Sequence, residues 1–500
     1  MTDSCTCGCR EVYPSRLASM SGWAPSSVPL PITPLEFDMQ ACSFARGFGR
    51  ALTDLLGRPV SVAVRNRCGA LDILLTRGTG HRPEARDHHY PGDFDELWRS
   101  RIGPATADNL RFFAAADATA VPDAMADLLR DVVDRMTKVT YDHHMLVLPA
   151  RMALAEFAEF ARRLEITASV LDGLGMLAGE QNATTRMAVR LWQVRHERRL
   201  PALPQEGDGY GLAHPRWLEE DAVPRALAAL YRRVEPTREP RRLLAHSAER
   251  RRRLESRANA RLRRLPSSAQ ERFGTLLARA KSAAQVTEGH APLMHAQVTY
   301  ALRGLVLRLG ARLVGLGLLN AADDAFQLRI GDLGRASGSD YRQTVEHRRR
   351  HTHLPAPETK PPSDPPSDFL GDSPAAGLMR RVFGEPPQRA DRQALTGHPG
   401  APGRSRGRIR RVLLQADLAR VEPGDVVFAG DSSAAWSFAA PAAAALLADT
   451  GSPYGHLAAL ARDYSLPCVV GLGAASWLHD GELVEVDGDA GTVAPVRDIP

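Results

Sequence analysis

The residue best placed to do chemistry is His456. It ends the small-residue stretch Asp449-Thr450-Gly451-Ser452-Pro453-Tyr454-Gly455 and begins an Ala- and Leu-rich run that continues to Arg462. This pattern delivers an imidazole to the first turn of a helix, where free backbone N–H groups and the positive end of the helix dipole stabilise an anion. An imidazole is also a covalent nucleophile that splits one difficult transfer into two easier ones. A phosphoryl group carried on His456 would be held by both effects. The pairs His88-His89 and His143-His144 have no partner at metal-ligand spacing. Cys5, Cys7 and Cys9 alternate, without the two-residue gap of a zinc knuckle, so no metal is expected.

The elements that must position His456 follow from periodicity. Residues 1–40 read as loop, with 1–25 disordered and Pro29, Pro31 and Pro34 extending the chain. Helical spacing runs over Asp38–Leu56, Ala124–Val139, Met145–Glu165, Ile166–Glu197, Val223–Val234, Ser267–Val286 and Pro292–Leu319, with short strands at Val60–Arg65 and Leu71–Leu75. Arg241–Arg264 is a strongly basic helix with a thin Leu stripe, read as a solvated face. Prolines crowd Thr352–Arg389, which reads as a semi-stiff linker holding one short helix at Gly377–Phe383. Beyond it the pattern is α/β: strands at Ile409–Leu414, Asp425–Ala429, Cys468–Val470 and Leu483–Val486, with helices at Ala439–Leu447 and His456–Tyr464. The expected fold is α+β and multidomain, with a large mostly α-helical N-terminal domain (1–350), a Pro-rich linker (351–392) and a C-terminal α/β domain (393–500).

Five hundred residues exceed one ordinary core. The 44% hydrophobic and 24% charged fractions are those of a globular protein, and no apolar run reaches the ~20 residues of a membrane span. No secretory signal is visible, so a cytoplasmic protein without a membrane partner is expected. The net charge of +6 rests on arginine, Lys138, Lys281 and Lys360 being the only lysines, and is too modest for this length to favour a nucleic-acid partner.

The tail resembles the mobile phosphohistidine domain of the phosphoenolpyruvate-utilising enzyme family. The matching residues run in order: Gly400, Gly403 and Gly407; Pro423-Gly424-Asp425-Val426-Val427; Trp436; Asp449 and Gly451 before His456; Ala461-Arg462; Leu466-Pro467-Cys468-Val469-Val470-Gly471; and Val486-Asp487-Gly488 through Gly491. The resemblance implies that the domain swivels and that His456 is phosphorylated, with Asp449, Gly451, Ser452, Tyr454, Gly455 and Arg462 forming its loop. Two positions depart from the family pattern: Ser452 replaces a glycine, and Gly455 replaces the Ser, Thr or Cys that usually precedes the histidine. One polar contact to the imidazole or its phosphate is then missing, and Ser452 or Tyr454 could substitute for it.

The upstream region resembles the helical substrate-binding domain of rifampicin-phosphotransferase-type and phenylphosphate-synthase-type members. Pro29-Leu30-Pro31-Ile32-Thr33-Pro34-Leu35, His214-Pro215-Arg216-Trp217 and Gly310–Leu333 carry that similarity. Glu288 and His290 resemble a Glu-x-His element there, which implies that one of them takes the proton of an acceptor hydroxyl. Arg216 or Arg303 would neutralise phosphoryl oxygens, with Trp217 beside them.

No Gly-rich phosphate loop with a following lysine occurs, although transfer from a nucleotide needs cations and a metal around the phosphates. The resemblance therefore implies a split enzyme: a dikinase-type phosphotransferase or ligase of secondary metabolism, acting on a small organic molecule. An ATP-grasp partner in trans would bind ATP and Mg and charge His456, while this chain binds no cofactor by itself. The alternative is a degenerate member that binds a metabolite or partner without phosphorylation.

Overall fold

The computed structural model describes residues 18–19, 33–67, 70–77, 93–116, 122–197, 200, 212–213, 217, 219–290, 292–333, 341–352, 395–412, 415–429, 434–473 and 478–496. Residues 353–394, which take in nearly all of the expected Pro-rich linker and the helix expected at Gly377–Phe383, lie outside the described residues, as do the Cys5-Cys7-Cys9 cluster, His88-His89 and His214-Pro215-Arg216.

The first long helical segment begins earlier than the apolar spacing suggests. Thr33 caps Pro34–Glu36 in a capping box with Glu36, and the chain continues through a π-helical turn, Phe37–Ala41, into Cys42–Leu56. Gly57 ends it in the left-handed region. The antiparallel pair Val60–Arg67 and Ala70–Arg77 follows. The spine of the helical domain is the 42-residue helix Pro122–Arg163, against which Cys42–Leu56 and Ser267–Gly289 pack. Two separate helices are expected over this span, but Thr140–His144 does not interrupt it. The polar side chains there are accommodated on the helix, and Leu146, Ala150, Ala153 and Phe157 carry the buried face onward.

Conversely, Ile166–Glu197 is not one helix. It divides into Val170–Gly175, capped by Ser169, and Ala183–Val194, capped by Asn182. Between them Gly179 has φ +79°, and a Cβ there would lie 2.5 Å from the Ala248 backbone nitrogen, so the chain turns where only glycine fits. The basic run forms Pro240–Leu262, burying Leu244, Leu254, Ala258 and Leu262. Its arginines pair outward, Arg251 with Glu180 at 2.9 Å and Arg253 with Glu249 at 3.2 Å. Pro292–Gln297 is a π-helical entry to Val298–Gly315 rather than regular helix.

The C-terminal domain is built on an eight-stranded mixed sheet. Its order is Leu395–Thr396, Thr492–Pro495, Leu483–Asp487, Arg404–Val412, Val426–Ala429, Ala445–Ala448, Cys468–Val470 and His398–Ala401. The four strands from Arg404–Val412 to Cys468–Val470 are parallel, and antiparallel strands flank them. Central strands such as Val426–Ala429 and Ala445–Ala448 are buried along their whole length, as a sheet covered on both faces requires. The Ala-rich stretch Ala439–Leu447 is accordingly not a helix. A 3₁₀ segment, Ala434–Ala442, contains Pro441, and Ala445–Ala448 is a central strand. Burial on both faces overrides the helical propensity of alanine.

The helical and α/β parts share apolar surface. Trp192, Trp217, Leu230 and Tyr231 lie in one buried cluster with Phe438, Leu457, Leu460 and Tyr464. The Tyr231 hydroxyl donates to Phe438 O at 2.8 Å and the Arg238 Nε–H to Pro441 O at 2.8 Å. Among the described residues, no helix is long and apolar enough to cross a membrane.

Candidate functional site

The loop carrying His456 leaves the carboxyl end of the parallel strand Ala445–Ala448, the edge at which open α/β sheets place their ligands. Neighbouring strands hold its base: the Asp449 N–H donates to Ala429 O at 3.1 Å, and Asp449 O accepts from the Gly473 N–H at 3.0 Å. Gly451 has φ +116°, which L side chains rarely adopt. The Arg462 guanidinium, buried one turn further on, donates from Nη1 to Gly400 O at 2.6 Å and Pro453 O at 2.8 Å. Burial lowers its pKa to about 10, still well above neutrality, so Arg462 is a charged staple between loop and sheet rather than a solvent-facing phosphate ligand.

Gly455 is the N-cap of His456–Asp463, with φ −82°, ψ 166° and no side-chain cap bond. Tyr454, one candidate to stand in for the hydroxyl missing from this position, is buried in the cluster that includes Phe157 and Leu254. Ser452 is the other candidate. Its Oγ is buried and has no hydrogen-bond partner.

The imidazole meets the helical domain directly. His456 Nδ1 lies 2.5 Å from Glu288 Oε2, with side-chain exposures of 13% and 10%. Burial opposes protonation of His456. The Glu288 carboxylate, with help from Asp463, outweighs that burial, and the pKa is raised above the ordinary histidine value. His456 Nε2 is buried without a hydrogen-bond partner. Asp463, at the other end of the same helix, accepts from the Gly179 N–H at 2.8 Å and the Asn182 Nδ2–H at 3.1 Å, while burial pushes its pKa up to about 7.

His290, two residues beyond Glu288, adds a second buried imidazole. Its Nδ1 lies 3.1 Å from Val286 O, and a carbonyl only accepts, so Nδ1 carries the proton. Nε2 then holds the lone pair, toward which His143 Nδ1–H donates at 3.1 Å. Burial lowers the His290 pKa to about 4, so the ring stays neutral near pH 7. His290 therefore fixes His143, and its own lone pair is already engaged. His143 lies on the long helix, 147 residues away in sequence. Its partner is another histidine, a pairing that no local spacing reveals. Arg151, one helix segment further on, acts electrostatically on both His456 and His290, each of whose pKa values it lowers.

Arg303 and Trp217 make contacts within the chain. Arg303 Nε–H donates to Glu219 Oε2 at 2.7 Å and Nη1–H to Ala213 O at 2.8 Å. Glu36 accepts from the Ala213 N–H at 2.9 Å on the same segment. Arg303 is thus committed to an internal clamp instead of facing a phosphoryl group. Trp217 is buried with its ring 5.4 Å from that of Phe438, a domain-docking contact in place of a substrate contact. Among the described residues no group of three His, Cys, Asp or Glu side chains could hold a metal ion.

Comparison with known proteins follows this geometry. Residues 421–491, which include the His456 loop and helix, match the family described as "PEP-utilising enzyme, mobile domain". Over 425 residues the chain is 27% identical to chondramide synthase cmdD of Chondromyces crocatus, covering 74% of this chain and 11% of that protein. It is 27% identical over 202 residues to the prodigiosin synthesizing transferase PigC of Serratia marcescens, covering 39% of this chain and 22% of the transferase. It is 27% identical over 192 residues to rifampicin phosphotransferase of Bacillus cereus, covering 38% of this chain and 21% of that enzyme. The chain thus spans less than a quarter of the length of each of these relatives. Sheet, loop and sequence match together identify the C-terminal domain as a member of the PEP-utilising enzyme mobile-domain family.

Proposed function

We propose that this chain carries a phosphoryl group on His456 and delivers it to a small organic acceptor bound against the helical domain. The observation that carries the reading is the His456–Glu288 contact. It supports the reading by bringing the imidazole of the mobile-domain loop against a helix of the other domain, and in this reading Nε2 carries the phosphoryl group. In the charging step the Nε2 lone pair attacks phosphorus and the donor's P–O bond breaks. In delivery an acceptor oxygen attacks phosphorus, the P–N bond breaks, and its electron pair returns to Nε2. Retention of the Nδ1 proton beside Glu288 keeps the ring a competent leaving group.

The donor in this reading is ATP, bound with Mg by an ATP-grasp partner in trans, and the chemistry is of the dikinase type. The relatives support a phosphotransferase, one being a rifampicin phosphotransferase and another a phosphoenolpyruvate synthase. A secondary-metabolic acceptor accords with the likeness to chondramide synthase and to a prodigiosin synthesizing transferase. The product is either phosphorylated or condensed through a phosphorylated intermediate. Swivelling between the two stations would use the Pro-rich segment 351–392 as its linker.

The test is label transfer from β-labelled and γ-labelled ATP in an extract of the native host. Label on His456 from the β position alone supports dikinase chemistry, and label from the γ position alone replaces it with kinase-type charging. The second reading, a metabolite- or partner-binding module, is favoured by the bare N-cap at Gly455. It predicts no label from either position.

A further inference from the structure

The closed arrangement raises a question that the phosphohistidine reading leaves open: what decides when the domain lets go. The interface is largely apolar, and Tyr454, Trp217, Leu457 and Tyr464 are all buried in it. Such a surface has no reason of its own to separate on each cycle. Among its polar contacts, however, is a charge-sensitive point at His456 itself. Glu288 Oε2 lies 2.5 Å from His456 Nδ1 as an ion pair not aligned as a hydrogen bond, and Nε2 of the same ring is buried. Thr287 Oγ1 and Ser452 Oγ are likewise buried without partners. Nε2 is buried, so a phosphoryl group on it would bring its negative charge within a ring's width of the Glu288 carboxylate.

Building on the phosphohistidine reading, we propose that Glu288 is a positioning residue that distinguishes the two states of the carrier. It holds unphosphorylated His456 in the closed arrangement and repels the phosphorylated form. The closed form is then the state reached after delivery, and the phosphorylated ring delivers beside the helical domain from an arrangement in which the Glu288 contact is not yet made. The energetics point the same way. A cationic or neutral imidazole beside a carboxylate is compatible with burial, whereas a buried phosphoryl dianion beside the same carboxylate is a like-charge pair. Arg151 and the buried Arg462 supply positive charge nearby, but Arg462 is already committed to Gly400 O and Pro453 O.

The experiment uses the full chain and phosphoramidate, a small donor that phosphorylates histidine without a partner enzyme. The Nε2 lone pair attacks phosphorus, the P–N bond of the reagent breaks, and ammonia leaves with a proton. Hydrogen exchange is then followed at 177–182 and 457–464 in wild type, Glu288→Gln and Glu288→Asp, before and after phosphorylation. Wild type should gain exchange at both segments on phosphorylation, by about tenfold, the change that 1.4 kcal/mol of closure energy produces. Unphosphorylated Glu288→Gln should already exchange faster than wild type, with little further gain, and Glu288→Asp should lie between. Equal protection in phosphorylated and unphosphorylated wild type would overturn the proposal, as would a Glu288→Gln variant that responds like wild type. Phosphate found on His456 without any change in exchange removes the Glu288 role and leaves the carrier reading standing. Failure of every variant to accept phosphate at His456 removes both.

Discussion

Asp463 reaches out of the α/β domain to accept the Gly179 N–H at 2.8 Å, across 284 residues of sequence. With the Asn182 Nδ2–H at 3.1 Å it makes a two-point polar anchor beside the apolar interface, one helix length from His456. Gly179 occupies a left-handed turn pressed on Ala248, which sets the direction of its amide. The Asp463→Ala substitution leaves both donors without their acceptor and should destabilise the folded chain by about 1–3 kcal/mol. Chemical denaturation checks this, and Asp463→Asn, which keeps one acceptor oxygen, should lose less.

Closure should weaken as pH rises. The His456 pKa is raised in the closed form, so its contribution is complete below the ordinary value of about 6.5 and disappears as pH climbs through the raised one. The groups acting on it are Glu288 from the Ser267–Gly289 helix, Arg151 from the long helix and Asp463 from its own helix. Asp463 has its pKa pushed from 3.8 to about 7, so its ionisation also works against burial progressively over that interval. Both groups act in the same direction. Hydrogen exchange at 457–464 should be slower at pH 6 than at pH 8, and Glu288→Gln should flatten the dependence.

Ser452→Ala isolates the hydroxyl that could take over from the residue missing at Gly455. Its Oγ is buried without a partner, so its removal should leave thermal stability unchanged or slightly higher. If Ser452 donates to the phosphoryl group, the phosphorylated variant should lose its alkali-stable phosphate about tenfold faster, the worth of one hydrogen bond to a charged oxygen. Following release of phosphate after phosphoramidate treatment gives that lifetime.

Gly310 tests the frame rather than the site. A Cβ at this position in Val298–Gly315 would lie 2.0 Å from Ala322 O, where the helix meets the Ala322–Gln327 turn. The Gly310→Ala substitution forces backbone apart and should cost about 1–3 kcal/mol despite the better helix propensity of alanine. A lowered denaturation midpoint is the expected result.

Much of the site was legible in the sequence because its signals are local. A small-residue loop running into an Ala/Leu helix placed His456 at a helix start, and the helix ends at Asp463, one residue before the expected Tyr464. Glu288 and His290 stood out as a pair, and the structure brings Glu288 to His456. What was not legible depends on contacts distant in sequence. His143 acquires a role only when His290 arrives beside it, and Asp463 only when Gly179 does. Arg303 had the right charge for a phosphate, but a guanidinium reveals nothing of its partner until Glu219 and Ala213 O are seen around it. Ala445–Ala448 misled for another reason. Alanine favours helix in isolation, and only a central position in a covered sheet makes it a strand.

The central claim is that His456 is the phosphoryl carrier, and its most direct test is phosphate mapping on the full chain in an extract of its native host supplied with labelled ATP. Wild type should acquire acid-labile, alkali-stable label that maps to His456, and His456→Ala should acquire none. Label that persists in His456→Ala, or its absence from wild type in an extract with a demonstrably active ATP-grasp protein, would contradict the account.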